Sequence, residues 1–312
     1  MRYPFFVLGF GVLATFLACG GGDDAGGDPG GAASSSGASG SSSSGGGGGS
    51  SSGGSSSSSG NPSKGCGQAG APTGFQANLG VTAAGANRTY SIAVPATYDP
   101  ARRYPVVFAF HGDGGDGASA RNAFKFETAH GGDAIFVYPN GTGKTWDLDT
   151  FAADKNKDVQ LVQALIDSVK TQYCVDEAKV YAAGFSRGGF FANHVGCQLG
   201  GTVRAVASHG GGGPYGGNND YDDNGNLKCP GQPIAALIVI GANDGLLPDS
   251  KSSRDFWRVK NTCKASTDPA TPSPCVTHQG CAKPLEYCQI AGMGHQVWAE
   301  GSETTWSFFM AQ

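Results

Sequence analysis

The sequence predicts an α/β domain built on a mainly parallel sheet with helices on both faces. Two patterns carry that expectation. Short, continuous apolar runs, Pro105–Phe110 (PVVFAF), Ala134–Tyr138 (AIFVY) and Ile234–Ile240 among them, are bounded by turn residues, as strands buried on both faces must be. Between such runs lie segments with apolar residues at helical spacing, Val159, Val162, Leu165, Ile166 and Val169 being the clearest. Strands and helices alternating in this way stack as a parallel sheet covered on both sides.

In chain order, residues 1–19 carry one cation, Arg2, then an apolar core from Phe5 to Leu17, then Ala18-Cys19. The run is short for a bilayer span and has the layout of a secretory signal. Its end, Phe16-Leu17-Ala18-Cys19-Gly20, resembles a bacterial lipobox with Phe16 where Leu is usual. Lipidation at Cys19 would then be the only attachment to a membrane, and the protein is expected outside the cell or on its outer surface. An ordinary signal peptide cut near this point is the alternative. Residues 20–62 are almost wholly Gly and Ser, which cannot bury enough apolar surface to fold. Such a tether reaches about 35 Å on a root-mean-square basis.

Residues 63–312 are the right size for one α/β domain. Setting Cys19 aside leaves Cys66, Cys174, Cys197, Cys229, Cys263, Cys275, Cys281 and Cys288, an even set that points to up to four disulfides in an exported chain. Zinc is disfavoured, because no Cys-x-x-Cys pair occurs. The formal net charge is −4 with scattered Lys and Arg, so there is no footprint for nucleic acid. Within the domain, Arg88–Val94 alternates as a half-buried strand near an edge, and Asp158–Tyr173 is a helix. Lys179–Gly184 is a buried strand leading into a helix that ends near Leu199. Val203–Ser208 and Leu285–Ile290 are further strands, with helices at Ser250–Asn261 and Glu303–Met310.

The junction after Lys179–Gly184 carries the chemistry. Gly184-Phe185-Ser186-Arg187-Gly188 passes from strand to helix, the pattern of a nucleophile elbow. A serine hydroxyl attacks only when a base removes its proton, and that base is usually a histidine oriented by a carboxylate. On this architecture, the α/β-hydrolase fold, the three arrive in the order Ser, Asp or Glu, His. Asp244, just past the end of strand Ile234–Ile240, is the expected acid. His295, in the glycine-rich loop after Leu285–Ile290, is the expected base, with His278 its competitor. His194 and His209 precede Asp244, and His111 is expected to brace a loop. For the oxyanion, the backbone N–H of Arg187 and that of Asp113, or less so Gly114, are the expected donors; the second belongs to the loop His111-Gly112-Asp113-Gly114-Gly115.

These residues resemble the feruloyl esterases of the carbohydrate esterase 1 type and the related polyhydroxybutyrate depolymerase-like esterases. The likeness rests on Phe108-Ala109-Phe110-His111 with Gly114-Gly115, Cys174-Val175-Asp176-Glu177, the elbow, Asp244, Tyr287-Cys288 and Gly294-His295. It implies an α/β-hydrolase with Ser186, Asp244 and His295 as triad and no cofactor. It also implies a hydroxycinnamoyl ester on plant cell-wall polysaccharide as substrate, with acetylated xylan and short polyesters as rivals. The family often has an aromatic and an aliphatic residue where this chain has Gly112 and Asp113. Trp146 and Trp298 are expected to line the acyl pocket, where a flat ring would stack on them. From another class, a non-catalytic surface-tethered binding protein is the competing expectation.

Asp220-Tyr221-Asp222-Asp223-Asn224-Gly225 matches the first half of a calcium loop, but Gly231 stands where the twelfth-position Glu belongs. A solvated acidic turn is the simpler expectation, and no metal site is assigned.

Overall fold

A computed structural model describes residues 62–312. The expected export signal, Cys19 and almost the whole expected Gly/Ser tether lie outside the described residues. Ten strands form one sheet: β1 Gly74–Ala83, β2 Ala86–Val94, β3 Tyr104–Phe110, β4 Ile135–Pro139, β5 Val175–Phe185, β6 Ala205–His209, β7 Ala235–Gly241, β8 Thr267–Pro269, β9 Cys275–His278 and β10 Leu285–Ile290. The spatial order is β1-β2-β4-β3-β5-β6-β7-β10-β9-β8. From β4 to β10 every pairing is parallel, while β1, β2, β9 and β8 extend the two flanks antiparallel. The parallel centre is where the sequence shows continuous apolar runs, because those strands are covered on both faces.

Six helices do the covering: α1 Gly117–Phe124, α2 Phe126–His130, α3 Lys157–Gln172, α4 Arg187–Leu199, α5 Leu247–Lys260 and α6 Gly301–Met310. Side chains alternate along each strand, so β3 sends Val106, Phe108 and Phe110 to one core and Val107 and Ala109 to the other. The first core takes α3, α4 and Trp257 of α5; the second takes Ala120, Phe124, Phe126, Phe308 and Phe309 of α1, α2 and α6.

The eight cysteines form four disulfides, Cys66–Cys174, Cys197–Cys229, Cys263–Cys281 and Cys275–Cys288. Two of them close the loops on the β9 side of the sheet, so the cysteine-dense segment is a stapled flank. The half calcium loop folds onto itself: Asp222 accepts from the Asn224 and Asn226 amides, and Asp220 from the Gly217 amide. Among the described residues no group of three or more His, Cys, Asp or Glu is placed to hold a metal ion.

Two buried histidines are expected to make the fold acid-sensitive. His209 ends β6 against Thr305 of α6, and His194 lies inside α4 against Phe151. Burial pushes His209 down to about 3 and His194 down to about 4. The unfolded chain protonates both near the ordinary imidazole value of about 6.5. Their contribution is therefore complete above about pH 6.5 and is lost as pH falls toward 4, because only the unfolded state gains those protons. Two rings held neutral over two pH units correspond to a loss on the order of 5 kcal/mol between pH 6.5 and 4.5. Urea midpoints measured at the two values should show this loss, and His194→Leu should flatten the profile by up to half. A profile equally steep in that variant would contradict the assignment.

Candidate active site

The site is built at the carboxyl ends of the central strands, where an open α/β sheet leaves room. Strand β5 ends at Phe185 and α4 begins at Arg187, so Ser186 must turn the chain in a single residue. Its backbone has φ 56 and ψ −125, a conformation that costs of order 1–3 kcal/mol and persists only when the surroundings enforce it. The two flanking glycines make the enforcement possible. A Cβ on Gly184 would lie 1.9 Å from the Gly188 carbonyl oxygen, and one on Gly188 would lie 2.3 Å from that of Phe110. The Ser186 amide donates to the His209 carbonyl at 2.8 Å, which ties the turn to β6.

The hydroxyl of Ser186 lies 2.9 Å from His295 Nε2, and His295 Nδ1 lies 2.8 Å from Asp244 Oδ2. The side chain of Asp244 is only 1% exposed against 40% for His295, so the carboxylate is walled off while the imidazole faces solvent. Its second oxygen accepts from the Leu246 amide at 2.9 Å, and the Asn243 amide donates to the Met293 carbonyl at 2.9 Å. The loops bearing acid and base are thereby sewn together. His278, the competing base, sits on β9 with its ring on the Lys264 carbonyl. His111 is buried and neutral, pushed down by desolvation. Its Nδ1–H donates to the Gly112 carbonyl while Nε2 accepts from the Gly141 amide, which holds the loop 111–115.

That loop passes close to the nucleophile, since a Cβ on Gly112 would lie 3.3 Å from Ser186 Cβ. The Gly114 and Gly115 amides are already committed, to the carbonyls of Lys144 and Gly112. Asp113 stays the candidate loop donor, and at α4 the first amide is that of Arg187, which an α-helix cannot satisfy internally. A carboxylate beside an oxyanion would oppose it, but the Asp113 side chain is held elsewhere. It accepts from Thr145 Oγ1 at 2.5 Å and lies 3.9 Å from Arg187 Nε, which itself donates to the Trp146 carbonyl at 2.9 Å.

Trp146 departs from expectation. It is fully buried, stacked on Phe191 with ring centroids 4.6 Å apart, and its Nε1–H donates to the His111 carbonyl at 2.8 Å. It braces the loop 111–115 from behind through the His111 carbonyl, and with no exposed surface it cannot line an acyl pocket. Trp298 is half-buried against the core that α1, α2 and α6 cover.

Three site features escaped sequence reasoning. Phe185 lays its ring against His295, centroids 4.9 Å apart. The Arg187 side chain clamps elbow to loop, as just described. Gly210, with φ 54, passes so near the base that a Cβ would lie 3.3 Å from both His295 Nδ1 and Asp244 Oδ2. The run Gly210–Gly213 directly after a strand was the available signal for close backbone approach.

Comparison with known proteins accords with this geometry. Residues 82–268 match the model of the family described as "Putative esterase". Feruloyl esterase C of Emericella nidulans is 31% identical over 246 residues, 72% of this chain and 84% of that protein. The protein named "Probable feruloyl esterase C" of Aspergillus clavatus is 30% identical over 244 residues, with the same shares. Among solved structures, the acetyl xylan esterase from Aspergillus awamori superposes with a TM-score of 0.61 at 17% identity, covering 77% of this chain and all of that one. At that identity the likeness speaks for the fold, which is that of the α/β-hydrolases.

Proposed function

This chain belongs to that esterase family and is a serine carboxylic ester hydrolase, and from this premise we propose that Ser186, His295 and Asp244 are its nucleophile, base and orienting acid. The observation that carries the assignment is the unbroken relay of 2.9 and 2.8 Å from Ser186 through His295 to Asp244. Ser186 Oγ attacks the ester carbonyl as His295 Nε2 takes its proton, and Asp244 stabilises the imidazolium. The amides of Arg187 and Asp113 receive the developing oxyanion, each worth roughly 3–4 kcal/mol. His295 returns its proton to the departing alcohol oxygen as the tetrahedral centre collapses to an acyl-enzyme. It then takes a proton from water, whose oxygen attacks the acyl carbon, and gives that proton to Ser186 Oγ as the second tetrahedral centre collapses to the free acid.

The proposed substrate is a hydroxycinnamoyl ester on plant cell-wall polysaccharide, a reading supported by the two feruloyl esterase C relatives. Half-buried Trp298, three residues beyond His295, is the proposed stacking partner for the aromatic acid. Methyl ferulate, p-nitrophenyl acetate and a hydroxybutyrate oligomer separate the readings. Methyl ferulate should give the highest kcat/KM; a tenfold preference for the acetate or the oligomer would move the assignment to an acetylxylan or polyester esterase.

Export is supported by the four disulfides, which persist in oxidising compartments. Cys19 is the proposed lipid attachment, so Cys19→Ser expressed in a bacterial host should move the protein from the membrane fraction to the soluble one. Unchanged membrane association would reject the anchor.

A further inference from the structure

The segment from Gly210 to Ile234, between β6 and β7, is long for a connection in a compact domain, and such loops are usually functional. It starts at the catalytic groups with Gly210. Five residues on, Tyr215 packs on Phe190 of α4 with centroids 6.0 Å apart, and its hydroxyl donates to Asp249 Oδ1 at 2.8 Å. Phe190 lies one turn beyond Ser186 and Asp249 just beyond Asp244, so Tyr215 is tied to both elements that carry the site.

Beyond Tyr215 an open groove of about 440 Å³ runs along α5. Its apolar wall is made by Tyr215, Tyr221, Phe256 and Val259, and Asn226 and Asp255 supply polar edges. Tyr215 and Val259 are 39% and 49% exposed, two of the three most exposed large apolar side chains among the described residues. The outer wall is the acidic turn 220–226, whose carboxylate at Asp222 is spent on its own amides. That wall is pinned by Cys197–Cys229 and by Lys260 Nζ donating to the Cys229 carbonyl at 3.1 Å.

We infer that this groove seats the polysaccharide chain that carries the ester, its neutral sugar rings stacked on Tyr215, Tyr221 and Phe256. The inference rests on the esterase reading above, since a polymeric alcohol must leave the site in some direction and Tyr215 marks this one. Aromatic rings offer flat apolar faces to the C–H faces of sugars, while the Asn226 amide can meet hydroxyls. The charges argue for an uncharged occupant: Asp255 is paired with Arg254 at 3.0 Å and Arg258 at 3.8 Å, and Lys260 is engaged by a carbonyl.

Xylohexaose titrated into Ser186→Ala protein, followed by calorimetry, tests the groove without turnover. Binding is expected, and Val259→Asp and Tyr221→Ala should each weaken it about tenfold. Val259 is exposed on a helix surface, so its variant keeps the test valid if Tyr221→Ala fails to fold. In the active enzyme, the ratio of kcat/KM on a feruloylated xylo-oligosaccharide to that on methyl ferulate should fall by a similar factor. No xylohexaose binding, or equal affinity in both variants, overturns the groove. So does a concentration-dependent dimer broken by Val259→Asp without any sugar binding. A wild type that binds xylohexaose through the groove yet hydrolyses no ester would overturn the esterase reading alone.

Discussion

Ser186→Ala is expected to lower kcat on methyl ferulate by about 10⁵–10⁶-fold with its unfolding transition unchanged. The substitution removes one oxygen and nothing that holds the turn. The strained backbone at φ 56 is enforced by Gly184, Gly188 and the hydrogen bond from the Ser186 amide to the His209 carbonyl, none of which involves the hydroxyl. The oxyanion donors also remain, because both are backbone amides, so the residue of catalysis should be about 10³–10⁴ over water. Turnover within tenfold of wild type, on protein shown free of contaminating esterase, would remove Ser186 from the mechanism.

Asp244→Asn should cost about 10⁴-fold in kcat while substrate affinity changes little. Asn fits the space, and its oxygen can still accept from the Leu246 amide, as Asp244 Oδ1 does at 2.9 Å. The amide –NH₂ then faces His295 Nδ1, where the carboxylate oxygen stood at 2.8 Å. Two donors cannot share that position, so the imidazole moves its proton to Nε2, the nitrogen that must be bare to accept from Ser186. The ring would be correctly placed and in the wrong tautomer. A loss smaller than about tenfold would mean that Asp244 does not orient the base.

These effects concern residues that sequence reasoning located, and it is instructive which ones it could locate. The chain order Ser186, Asp244, His295 is readable because each follows a buried strand, and buried parallel strands announce themselves as continuous apolar runs. The elbow is readable because only glycine tolerates the contacts that Gly184 and Gly188 make. Flanking elements left fainter marks. Strand β1 alternates exposed and half-buried residues and is broken by a register shift between Gln76 and Leu79, so its periodicity is weak. Helix α1, GASARNAF, starts at a capping box closed by Asp116 and Ser119, without the Glu or Gln that makes such boxes easy to see. Strand β8 is Thr-Asp-Pro and carries no apolar signal at all.

The sequence by itself determined what depends on local rules: an α/β sheet, the strand ends where Ser186, Asp244 and His295 stand, and an even set of cysteines. Only the tertiary structure decided what depends on distance. It paired Cys197 with Cys229 across 32 residues, put Trp146 beneath His111 with no exposed surface, and bonded the Gly114 and Gly115 amides to carbonyls. Side-chain type sets what a residue can do, but burial and partners are set by segments far away in the chain, and no local pattern encodes them.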